Sequence, residues 1–156
     1  MLFSGLPFLY YFLPAVLVCY FAAPRKLKNA VLFVFSLIFY GWGEPRYIVL
    51  MIVSIVSGFV FALMIEKRQS KKSGLILMWI SVAVSLSFLL IFKYADFLIE
   101  NVNQLPGVSL PLFKLSLPIG ISFYTFQIIS YTVDVWRGDT KAQRNIISFG
   151  TYVSLF

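Results

Sequence analysis

"YIVLMIVSIVSGFVFALMI", residues 47–65, contains no charged side chain. At 1.5 Å per residue a helix of this length reaches about 28 Å, close to the ~30 Å hydrocarbon core of a bilayer. A backbone in hydrocarbon must satisfy its own hydrogen bonds, so the stretch predicts a transmembrane helix. The same pattern recurs on both sides of it. "LILMWISVAVSLSFLLIF" at 75–92, "LPFLYYFLPAVLVCYFAA" at 6–23 and an apolar stretch at 116–136 qualify as spans. "AVLFVFSLIFYGWG" at 30–43 is short: it crosses thinned bilayer, crosses with help from the Trp42 region at an interface, or dips in and returns as a hairpin with 47–65. Composition agrees: 60% of residues are hydrophobic, 19% aromatic and 12% charged, where an average soluble domain is about a quarter charged. The expected fold class is all-α, a multi-pass transmembrane helical bundle of about five spans plus an incomplete sixth.

A net charge of +7 would point to nucleic acid in a soluble chain, but here its positions argue topology. Arg25, Lys26 and Lys28 follow the first block, Lys67, Arg68, Lys71 and Lys72 the third, and Arg137, Lys141 and Arg144 the fifth. Arg46, Lys93 and Lys114 are left for the other side. The positive-inside rule then makes the chain a multi-pass protein of the cell membrane with its N-terminus outside and its basic loops cytoplasmic. The bias itself favours crossing by 30–43, or failure of 30–43 and 47–65 together. The run "EKRQSKK" at 66–72 reads as topogenic and lipid-facing, with docking of an acidic partner or a phosphorylated donor as the sharper alternative. Block one reads as an anchor, because no Lys or Arg precedes it while a basic cluster follows. Cys19, the single cysteine, reads as an inert thiol in a span. Membrane lipid is the expected surroundings, and nucleic acid, metal and cofactor are not expected.

The connections carry ordinary punctuation, with a turn at "GEPR", 43–46, and an exposed segment at "NVNQLPGVSLP", 101–111. "KYADFLIEN", 93–101, keeps helical spacing, so the fourth helix is expected to run on along the outer interface.

The fifth block, "LPIGISFYTFQ" at 117–127 running on through "IISYTVDVW" to 136, mixes polar groups into an apolar span. At about 100° per residue Gly120, Tyr124, Gln127, Tyr131 and Asp134 fall within an arc of about 80°. An aspartate at the centre of a span costs roughly 2.5–3.5 kcal/mol to insert, so the stripe is expected to face protein. Tyr124, Gln127, Tyr131 and Asp134 are therefore candidates for lining a cavity. The plainer reading of each stands beside this one. Asp134 has Arg137 three residues on for an ion pair, and Gln127 suits an interhelical hydrogen bond. The tyrosines suit packing with a satisfied hydroxyl, and Gly120 suits close helix approach. Pro118 fits the first turn of a helix beginning after Ser116. No catalytic residue is assigned.

Beyond the span, "WRGDTKAQRN" is expected to stop the helix at Gly138 and to restart it through a capping box, Thr140 with Gln143. An interfacial helix and a truncated apolar segment would then occupy 140–156. The run from 146 reaches only about 16 Å, which suggests the front part of a longer protein.

"LPIGISFYTFQIISYTVDVWRGD" closely resembles the signature of the membrane-bound O-acyltransferase family, in the branch that contains the alginate O-acetyltransferases. "MLFSGLPFLYYFLP" at the start, "LKNAVLFVFSLIFYGWGEPRY" at 27–47, "FKYADFLIENVN" at 92–103 and the closing "YVSLF" agree with it, so the resemblance covers essentially all 156 residues. It implies the N-terminal part of an MBOAT-like fold. The enzyme so implied takes an acyl group from a cytoplasmic thioester, acyl-CoA or an acyl carrier protein, and passes it to a hydroxyl of an exported polysaccharide or cell-wall polymer. Further implied partners are the remainder of the acyltransferase chain and an extracytoplasmic acetylation partner. The family's hallmark histidine lies in its later half, and this sequence contains no histidine. Alone, the chain is therefore expected to be inactive. A non-catalytic membrane scaffold and part of a transporter are the alternative classes.

Overall fold

The structure, a computed structural model, describes residues 5–43, 45–69, 72–105, 107, 109–112 and 120–155, and every regular element among them is helical. The helices are α1 (Leu13–Ala22), α2 (Lys28–Gly43), α3 (Ile48–Glu66), α4 (Lys72–Asn103), α5 (Ile121–Arg137) and α6 (Ile146–Ser154). A widened turn, Phe8–Phe12, leads into α1: the Leu13 N–H reaches back five residues to Phe8 O, beside a Pro14 that has no N–H to offer. Phe8 and Phe12 pack on Phe39 of α2, with centroids 5.1 and 5.4 Å away, and this aromatic contact holds α1 against α2.

Among the described residues two helices are long and apolar enough to cross a membrane: α3 with its preceding turn (Pro45–Glu66, 22 residues) and α4 (32 residues). Phe8–Ala22 and Lys28–Gly43 are shorter apolar helices, and the described part of the fifth block is a helix of 17 residues. α4 passes unbroken through 93–101, as the spacing of "KYADFLIEN" predicts.

α5 lies against α3 and α4, and α6 packs on α2 and α3. Ile55 and Ile65 of α3, Ile121, Ile128 and Val135 of α5 and Phe149 of α6 are almost fully buried where these helices meet. Gly58 makes the junction possible. A methyl group there would lie 2.7 Å from Ile128 Cγ2 and 3.3 Å from Phe149 Cζ, inside van der Waals contact.

The two ends of α5 both depart from their sequence reading in part. Gly120 does not lie on a packed helix face; it precedes α5 with a left-handed φ of 76° and nothing would meet a side chain there. Ser116 and Pro118 lie outside the described residues. At the other end Gly138 stops the helix as expected, with φ 85° and its neighbour Asp139 N–H bonded to Asp134 O at 3.0 Å. The helix does not restart at Thr140. Residues 141–145 are irregular because their donors are engaged elsewhere: Ala142 N–H on Glu66 Oε1 and Gln143 N–H on Tyr131 Oη. The Gln143 side chain accepts from Arg144 N–H instead of completing a capping box. Asn145 becomes the cap, accepting from Ile147 N–H at 2.9 Å, and α6 begins at Ile146.

The same bonds bring three connections to one end of the bundle. Asn29 Nδ2 donates to Ser148 Oγ (3.0 Å), Gln69 Nε2 to Val135 O (2.9 Å) and Arg144 to Glu66 Oε2 (2.7 Å). The segments after α1, α3 and α5 therefore share an end, which gathers Arg25, Lys26, Lys28, Lys67, Arg68, Lys72, Arg137, Lys141 and Arg144. This is the grouping that the charge pattern implied, except for Lys71, which lies outside the described residues.

Candidate functional site

The buried face of α5 is rotated from the polar stripe. On the same helical scale Ile121, Thr125, Ile128, Thr132 and Val135 lie between about 60 and 140°, and the stripe is centred near 0°. α3 and α4 cover the aliphatic and β-branched side. Tyr124 and Tyr131 belong to both sets and are buried, while Gln127 and Asp134 fall at the edge and are half-buried.

The four candidates divide accordingly. Tyr131 is a packing residue with a satisfied hydroxyl: its ring lies 4.8 Å from Phe149, and its Oη accepts from Gln143 N–H at 2.6 Å. Asp134 does not pair with Arg137. The Arg137 Nε turns to Asp139 Oδ2 at 3.7 Å, an exposed contact worth little, because the Gly138 stop folds residue 139 back over the helix end. Gln127 makes the interhelical bond, Nε2 donating to Tyr152 O of α6 at 2.7 Å. Tyr124, 2% exposed, turns its hydroxyl toward Tyr40 of α2.

Tyr124 and Gln127 lead to a group of buried oxygens that the sequence did not single out. Ser36 Oγ, Gln127 Oε1 and Ser154 Oγ have no hydrogen-bond partner among the described residues, and the buried Tyr124 hydroxyl faces that of Tyr40 beside them. Their register places them together. α2 meets α6 at Asn29, on Ser148, and at Phe33, against Gly150, and Ser36 and Tyr40 recur on the same helical face of α2. Both helices start at the basic end, so Ser36 and Ser154 lie about 12 Å along their axes, and Tyr40 about 18 Å. α5 runs the other way, and Gln127 and Tyr124 lie about 15 and 20 Å from that same end. A belt of hydroxyl and amide groups therefore crosses α2, α5 and α6 near mid-height. Buried polar groups are normally bonded, so such a belt is a place where another polar group is wanted.

Beside the belt, on the side of α5 away from α3 and α4, lies an open groove of about 540 Å³ lined by Ser122, Phe123, Phe126, Gln127, Ser130 and Tyr152. Gln127 belongs to both features. Among the described residues no group of His, Cys, Asp and Glu is arranged to hold a metal ion. The belt can donate and accept hydrogen bonds at the middle of an apolar bundle, and neither a histidine nor a cysteine is among its residues. Ser36 and Ser154 escape a sequence reading because a serine in an apolar helix ordinarily bonds its own backbone, as Ser54 and Ser87 do here.

Comparison with curated proteins gives relatives along the whole chain. It is 37% identical over 161 residues to "Probable alginate O-acetylase AlgI" of Pseudomonas syringae pv. tomato, covering 100% of this chain and 31% of the relative. The Pseudomonas aeruginosa protein of the same name is 37% identical over 164 residues, again with 100% and 31% coverage. "Peptidoglycan O-acetyltransferase" of Helicobacter pylori is 31% identical over 142 residues, 88% of this chain and 27% of that protein. The chain thus spans about a third of the length of the curated relatives it matches. No family model matches the chain, and no solved structure matches it.

Proposed function

From the premise that this chain is a relative of the alginate O-acetylases, matching their N-terminal part within the membrane-bound O-acyltransferases, we propose that it forms the first transmembrane portion of a polysaccharide O-acetyltransferase. In this reading the bundle spans the cell membrane several times with its N-terminus outside, and the basic end faces the cytoplasm. A thioester donor, acyl-CoA or an acyl carrier protein, approaches that end, where cations suit its phosphates. The acetyl carbon then meets a hydroxyl of the exported polymer near mid-membrane. The hydroxyl oxygen attacks the thioester carbonyl, the C–S bond breaks, and the hydroxyl proton must go to a base.

The chain contains no histidine, so the base comes from outside residues 1–156 and the chain alone is inactive in acetyl transfer. What the chain's own residues supply is the wall. Fixed hydrogen-bond donors in a site closed to bulk water stabilise developing oxyanion charge far better than water does. The observation that carries the reading is the mid-height belt, because hydroxyl and amide groups gathered inside an apolar bundle, with Ser36 Oγ, Gln127 Oε1 and Ser154 Oγ lacking partners among the described residues, suit the wall of a polar reaction path.

The test uses membranes holding the whole protein that carries this sequence, an isotope-labelled acetyl thioester and the polysaccharide. Label is expected in alkali-labile esters on polymer hydroxyls. Passage of polymer or thioester across the membrane without covalent change would instead identify a transporter.

A further inference from the structure

The outward face of α5 is more polar than those of α3 and α4. These present mainly aliphatic side chains, among them Val49, Val53, Ile76 and Ile80, beside Trp79, and the exposed Ser87 of α4 spends its hydroxyl on Ala83 O. α5 presents Phe123 (66% exposed) and Phe126 (57% exposed) between Ser122, Gln127 and Ser130, and Tyr152 of α6 completes a concave surface. Lipid tails offer nothing to a serine or an amide. Small and polar residues with hydrogen-bonding side chains are instead what helix–helix interfaces in membranes are made of. Gln127 sharpens this. Its Nε2 is spent on Tyr152 O, and its Oε1 is buried at the edge of the groove without a partner among the described residues.

We propose that this groove is an intramolecular interface, occupied by a transmembrane helix from the part of the protein that lies outside residues 1–156. The proposal rests on the acyltransferase reading above. About two thirds of the length of the matched relatives is not covered by this chain, which is enough for many further helices. A helix of the same polypeptide is also held at high effective concentration, an advantage that a second copy or a separate protein lacks. The arriving helix presents a hydroxyl or amide to Ser122 and Ser130 and small residues beneath Phe123 and Phe126. The groove adjoins the polar belt at Gln127.

The whole protein in its native membrane is the material for the test. A photoreactive p-benzoylphenylalanine replaces Phe126 in one variant and Phe123 in a second, and a control variant carries it at Ile76 on the aliphatic face of α4. After irradiation, mass spectrometry of the digested protein identifies each adduct. The expected result at 126 and 123 is an adduct to a peptide of the same polypeptide from outside residues 1–156, with loss of the phospholipid adducts that dominate at 76. Lipid adducts at all three positions, no protein adduct, or adducts to a second copy or to another protein overturn the proposal. Acetyl transfer by the same membranes is read separately. An intramolecular adduct without acetyl transfer leaves the interface standing and counts only against the enzymatic reading.

Discussion

Gly58 shows how one residue sets the meeting of three helices. Its missing side chain is the space occupied by Ile128 Cγ2 and the Phe149 ring. Gly58→Ala is expected to cost about 1–3 kcal/mol, the usual penalty for overpacking, and unfolding of the purified protein in detergent measures it. Little of this was legible in the sequence, since a glycine in an apolar block reads equally as a lipid-facing position. Gln127 was legible because a polar amide in a span needs a partner, and the structure supplies Tyr152 O. Asp134 was not, because its expected pairing with Arg137 depended on a turn whose course is set by Gly138, and that turn delivers Asp139 to Arg137 instead.

α5 and α6 divide sharply in how far local pattern determined them. The stop at Gly138 follows from glycine's freedom to adopt a left-handed backbone, which is a local property. The start of α6 is decided by tertiary bonds, with Glu66, Tyr131 and Gln69 taking hold of the 138–145 connection and its helix end. No pattern within "TKAQRN" could announce those partners. The cap that results is Asn145, so Asn145→Ala is expected to destabilise α6 by about 0.5–2 kcal/mol, while Thr140→Ala leaves it almost unchanged. Amide hydrogen exchange of residues 146–149 distinguishes the two. The face of α5 shows the same division. Periodicity located the polar stripe, but the packing of α3 and α4 on the neighbouring aliphatic face leaves that stripe at the edge, where Gln127 meets the groove.

Over the whole molecule, the apolar blocks gave the helices and the spacing of basic residues gave the end they share. The belt stayed hidden because it is made by register between α2, α5 and α6, and single serines reveal no register. The common end makes a direct prediction. In a Cys19→Ser background, single cysteines replacing Lys26, Arg68 and Lys141 should all react with a membrane-impermeant maleimide from the same side, and labelling of any one from the opposite side would break the shared end. The proposed role of the belt is tested most directly by acetyl transfer in membranes carrying the whole protein with Tyr124→Phe, which removes one buried hydroxyl and keeps the ring. If that hydroxyl stabilises the reacting oxygen, labelled acetyl on the polymer should fall about a hundredfold or more, as for loss of an oxyanion donor, with protein abundance unchanged. Unchanged transfer in this variant and in Ser36→Ala would contradict the placing of the acetyl path along the belt.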